Sequence, residues 1–134
     1  MTIDLDVLAA GLPPAWIGYL RDWHRSLRSA NHPETTRYNY LLAVVQLARY
    51  LGTAKIDADT AGASVTPVAV TRHHLEAFLA WMVETRSAST ALNKYKCLQQ
   101  FFRWLQADEQ AIERNPTDRL RPPKTPTGTV LKTV

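Results

Sequence analysis

The sequence predicts an all-α fold, a bundle of four main helices in one domain. Apolar residues recur at three- and four-residue spacings in four segments. No segment alternates with the period of two that a half-buried strand requires. A chain of 134 residues, 46% apolar and 21% charged, has the balance of a soluble globular protein. At that length folding buries roughly two-thirds of the surface the unfolded chain exposes.

Residues 1–13 read as an N-terminal tail. The first helix is expected from Pro14 to Ser29, where Trp16, Leu20, Trp23 and Leu27 make one apolar stripe. Pro13 and Pro14 suit its first turn, where a missing amide hydrogen costs nothing. The second is expected from Pro33 to Leu51, stopped by Gly52 as the residue just past its end. Its apolar residues (Tyr38, Leu41, Leu42, Val44, Val45, Leu47, Ala48 and Leu51) cover most of the circumference, which places it centrally.

Residues 53–70, "TAKIDADTAGASVTPVAV", are small, polar and interrupted by Gly62 and Pro67, so a long loop is expected there. Thr71 is a fitting N-cap for a third helix to Thr85, with Leu75, Phe78, Leu79 and Met82 inward. The fourth helix starts near Ser87 or Ser89 and ends near Asp108. Beyond it, Asn115-Pro116 starts a turn or a short C-terminal helix to Leu120. Pro122, Pro123 and Pro126 then mark residues 122–134 as an extended linker. The chain is expected to be the first domain of something longer.

Several function classes drop out at this level. No apolar run approaches the roughly 20 residues a membrane span needs. The N-terminus carries Asp4 and Asp6 where a signal peptide would be basic. One cysteine, Cys97, excludes an internal disulfide and fits a cytoplasmic setting. His73 and His74 diverge by about 100° on a helix and have no companion ligands, so no metal is expected. No cofactor or small-molecule ligand is expected either. Cys97 reads as a half-buried structural thiol, the four tryptophans as core or interface, and Asp57 and Asp59 as solvated loop residues.

The net charge of +4 is unevenly spread. Residues 1–85 hold 7 Lys/Arg against 8 Asp/Glu, and residues 86–134 hold 9 against 4. That asymmetry points to a polyanion partner for the C-terminal part. On a helical wheel of the fourth helix, Tyr95, Leu98, Phe101, Phe102 and Leu105 share an arc of about 120°. Asn93, Lys96, Gln100 and Arg103 gather opposite, with Thr90 and Lys94 near the start. A helix N-terminus presents unpaired amides and partial positive charge to an anion. Short hydroxyl and amide side chains reach phosphates and base edges, and lysines neutralise the backbone. The second helix opens in the same manner with Thr35, Thr36, Arg37 and Tyr38, although Tyr38 itself is expected in the core.

These segments, in order, resemble the N-terminal core-binding domain of the tyrosine recombinases, also called phage integrases. The residues are Thr36 to Tyr40, Leu75 to Leu79, Ser87 to Thr90, Leu98 to Leu105, Asn115-Pro116 and Pro123-Lys124, within about residues 14 to 126. The resemblance implies a SAM-like bundle over residues 14–121 that closes half of a clamp on double-stranded DNA, alongside further recombinase protomers. It implies DNA contacts at Thr35, Thr36, Arg37, Ser89, Thr90, Asn93, Lys94 and Lys96. Arg119, Arg121 and Lys124 fall where the family's interdomain linker follows the duplex. The family's chemistry is a tyrosine attacking a phosphodiester, with arginines, a lysine and histidines on the transition state. No His-x-x-Arg followed by a spaced tyrosine occurs here, so no strand cleavage is expected from this chain. Two alternatives compete: a helix-turn-helix transcriptional regulator, and a helical protein–protein interaction module.

Overall fold

A computed structural model describes residues 2–126 of the chain. Its helices are α1 (Leu5–Leu8), α2 (Pro14–Ser29), α3 (Glu34–Thr53), α4 (Thr60–Val65), α5 (Arg72–Thr85) and α6 (Ala88–Ala107), with a 3-10 turn at Pro67–Ala69. No strand occurs among the described residues. The four long helices are those the periodicity predicts.

Local chemistry sets most of the boundaries. Gly11 takes φ +83° in the turn between α1 and α2, a conformation costly for any side chain with a Cβ. α2 ends as a Schellman motif: Asn31 adopts φ 59°, its N–H donates to Arg28 O, and His32 N–H donates to Leu27 O. α5 opens with a capping box, in which Thr71 Oγ1 accepts from His74 N–H and His74 Nδ1 accepts from Thr71 N–H. Ser87 caps α6 by accepting from Thr90 N–H at 3.0 Å.

α6 packs between α3 and α5, and its buried face supplies the centre of the core: Leu98, Phe101, Phe102 and Leu105 are all inaccessible to solvent. Trp23 of α2 ties the bundle together. Its ring stacks on Tyr40 of α3 at 5.6 Å, meets Phe101 of α6 edge-on at 5.1 Å and lies 6.4 Å from Trp104. Such aromatic pairs add directional preference to large apolar burial.

Three expectations need correction. Residues 53–70 are not a loose loop: they contain α4 and the 3-10 turn, and Thr60, Ala63 and Pro67 are buried. Trp16 Nε1 donates to the carbonyls of Ala63 and Ser64 at 3.3 and 3.1 Å, and His74 Nε2 meets Asp57 Oδ1 at 3.0 Å. These long-range bonds order a stretch whose own propensity is weak, and they give Asp57, exposed as expected, a partner in His74. α3 runs through Gly52 to Thr53, with Ala54 as its cap. Packing of Leu51 and of Tyr50 against Phe78 and Trp81 carries the helix past the glycine. The N-terminal tail holds α1, whose Leu5 and Leu8 pack on the core. Of the two forms expected after Asn115, residues 116–119 take the turn, closed by Asn115 Oδ1 accepting from Thr117 N–H and its hydroxyl. Residues 127–134 of the expected linker lie outside the described residues.

Candidate nucleic-acid interface

The face of α6 turned away from the core is left open along its length. Ser89, Asn93, Lys96, Arg103 and Ala107 are exposed and Gln100 half-exposed, at spacings of three and four that make one stripe. Between Ala88 and Ala107 the helix contains no carboxylate. The surface it offers is therefore basic and amide-rich, without an internal counter-charge.

Two elements border the stripe. On one side lies the first half of α3: His32 and Tyr40 share a surface hollow of about 220 Å³ with Gln100, Arg103 and Trp104. On the other lies the segment after α6, which turns back along the helix. Gln106 Nε2 donates to Glu113 O at 2.7 Å and Tyr95 Oη donates to Leu120 O at 3.3 Å, while Tyr95 Oη accepts from Gln99 Nε2. Leu120 and Thr117 of this segment are buried and anchor it, while Arg119 and Arg121 are exposed.

The residues expected from sequence divide by position. Thr35, Ser89, Asn93, Lys96, Arg119, Arg121 and Lys124 are exposed; Thr36, Arg37 and Thr90 are half-buried. Thr90 Oγ1 also accepts from Ser87 Oγ at 3.0 Å, so that hydroxyl belongs to the helix cap. Tyr38 is half-buried and not in the core. Lys94 is the one that departs from its expected place: it is only 8% exposed, on the arc that faces the core. Burial, reinforced by Arg86 and opposed by Cys97, holds its pKa below the ordinary lysine value. Burial likewise pushes the Cys97 thiol up, away from the reactive thiolate.

His32, just before α3, and Tyr40 on it share their hollow with Gln100, Arg103 and Trp104, which lie far along α6 from Ser89. Gln100 and Arg103 thereby enter the interface. Their place on the polar arc is readable from the sequence; their proximity to Tyr40 is not. Arg86, exposed at the α5–α6 turn, is a further basic residue beside the start of α6. Among the described residues no three His, Cys, Asp or Glu side chains converge as metal ligands. No helix among them is long and apolar enough to cross a membrane.

The family model for the N-terminal SAM-like domain of phage integrase matches residues 19–112. The chain belongs to this family. No curated protein and no solved structure matches it. In this integrase SAM-like domain the matched span covers most of α2, all of α3 to α6, and the start of the return segment. It includes the whole α6 stripe and the flank from α3, and stops short of Arg119, Arg121 and Lys124. The domain type is the N-terminal one of the integrases and is not catalytic by itself.

Proposed function

We propose that this integrase domain binds double-stranded DNA, as one half of the clamp of a site-specific tyrosine recombinase whose strand-exchange chemistry resides in a catalytic domain outside this chain. The observation that carries the reading is the open, carboxylate-free stripe of α6, bordered by α3 and by the return segment. Lys96 and Arg103 neutralise phosphates, and Asn93, Gln100 and Ser89 present the donor and acceptor pairs that read base edges or sugar. Thr35 and Thr36 of α3 extend the contact on one side; Arg119, Arg121 and Lys124 follow the duplex on the other, as the path towards the catalytic domain. Further protomers would complete the assembly on DNA. Residues 14–121 form the binding unit, and 122–134 the linker.

Fluorescence anisotropy with a labelled duplex tests this. The chain should bind weakly, with log affinity falling linearly in log salt at a slope of roughly −0.9 for each phosphate neutralised. Reversing both Lys96 and Arg103 to Glu should abolish binding while circular dichroism and melting stay as in the wild type, because both side chains are exposed. Binding that ignores salt and the double reversal would sink the proposal.

A further inference from the structure

The hollow where α2, α3 and α6 meet is walled by aromatic rings. Trp23 and Trp104 are its buried floor, and His32 and Tyr40 stand half-buried at its rim. Trp23 lies against Tyr40 nearly parallel, at an interplanar angle of 6°. His32 stands 6.2 Å from Tyr40 and is tilted by 51°, so the two rings touch without stacking. Among the described residues, Trp23 is therefore the one ring stacked on Tyr40. A wedge is left between His32 and Tyr40 against which another flat group can lean.

The polar side chains around these rings are uncommitted. Elsewhere on α6, Gln99 donates to Tyr95 Oη and Gln106 donates to Glu113 O. Gln100, Arg103 and Asp108, which line the hollow, have no side-chain hydrogen bond or ion pair among the described residues. Nor have the His32 ring nitrogens or the Tyr40 hydroxyl. The space, about 220 Å³, is smaller than the roughly 300–1,000 Å³ of a drug-sized site. It suits one flat ring system with donors and acceptors on its edge.

We propose that this hollow seats one unstacked nucleotide of the bound DNA, its base against His32 and Tyr40. Gln100 offers a donor and an acceptor side by side, the pair that glutamine sets on adenine N6 and N7. Arg103, one turn on, takes the nucleotide's own phosphate. Asp108 is the one carboxylate on the wall, and its charge turns that phosphate towards Arg103. Every base has a flat face, so stacking supplies the affinity and the amide tunes it. The inference rests on the DNA-binding reading and deepens it. The stripe holds paired duplex, whereas the hollow takes a base that has left the stack. Such a base costs least where it is unpaired already.

Anisotropy on the full chain tests the seat, comparing an intact duplex with one that carries a single bulged dA. The bulged duplex should bind roughly tenfold more tightly, the scale of one base–aromatic stack. His32→Ala, Tyr40→Ala and Gln100→Ala should each pull the ratio of the two affinities towards one. Lys96→Ala should lower both affinities and keep their ratio, since Lys96 belongs to the stripe. His32 precedes α3 and is half-buried, so His32→Ala decides the matter if Tyr40→Ala does not fold. Free dAMP should compete away the preference for the bulged duplex. Equal affinity for the two duplexes, still salt-dependent, would overturn the seat and leave the stripe standing. A preference that survives intact in both His32→Ala and Gln100→Ala would overturn it as well. Binding of dAMP that needs His32, without any preference between the duplexes, would make a free nucleotide the ligand and end the DNA-borne seat. Absence of binding to either duplex would remove the seat and the DNA reading together.

Discussion

His24 lies half-buried on α2, with Arg28 one turn on and Arg37 of α3 facing it. Burial, then the two arginines, lowers its pKa below 6.5, since each disfavours a charged imidazole. In the folded chain His24 is accordingly neutral at neutral pH. As pH falls through 6.5, the unfolded chain takes up the proton first, and stability is lost until the folded value is passed. His24→Gln should therefore flatten the fall in melting temperature between about pH 7.5 and about pH 5. An unchanged pH profile in that variant would show that His24 does not carry the pH dependence. Lys94 teaches a second lesson at this scale. Four residues from Leu98, it sits about 40° from it on the wheel, inside the apolar arc, so its burial was legible from spacing alone. Residue type argued for the surface, and helical geometry overrode it.

The return segment shows what a single bond contributes to an element. Residues 111–120 contain no regular helix and are held by Tyr95, Gln106, the Asn115 turn and the burial of Leu120. Tyr95→Phe keeps the ring and deletes the hydroxyl that donates to Leu120 O. The expected cost is about 1 kcal/mol in urea denaturation, with faster hydrogen exchange at the Leu120 amide, which bonds Thr117 O. Unchanged exchange there would mean that Leu120 burial alone holds the segment. α4 makes the same point from the other side. Four of its six residues, Thr60, Gly62, Ser64 and Val65, are poor helix formers, and nothing in their local pattern announces that Trp16 or His74 will bond the stretch from 47 and 17 residues away.

Across the whole molecule, Trp23 is where α2, α3 and α6 meet. Trp23→Ala should cost about 3–5 kcal/mol, a large share of the roughly 5–15 kcal/mol that holds a domain together. Urea denaturation followed by circular dichroism should show a much lower midpoint with one cooperative transition. A loss under about 1 kcal/mol would contradict the view of a single continuous core. Charge is also organised at this scale. The acidic excess of the first 85 residues and the basic excess of the rest fall on different elements, and α6, with Lys94, Lys96 and Arg103 and no carboxylate, collects most of the basic excess. Steering of a polyanion follows from that distribution more than from any one contact.

By itself the sequence determined the all-α class, the four long helices, the Thr71 cap, a start of α6 near Ser87 or Ser89 and the polar arc of α6, because each depends on residues within about one or two turns of one another. The order of its motifs also carried the integrase family. Tertiary structure alone decided that residues 53–70 are ordered and that α3 passes through Gly52. It also decided that Tyr40 of α3 lies beside Gln100 and Arg103. Those outcomes depend on side chains far apart in the chain, and long-range packing outweighs the small local preferences that a sequence displays.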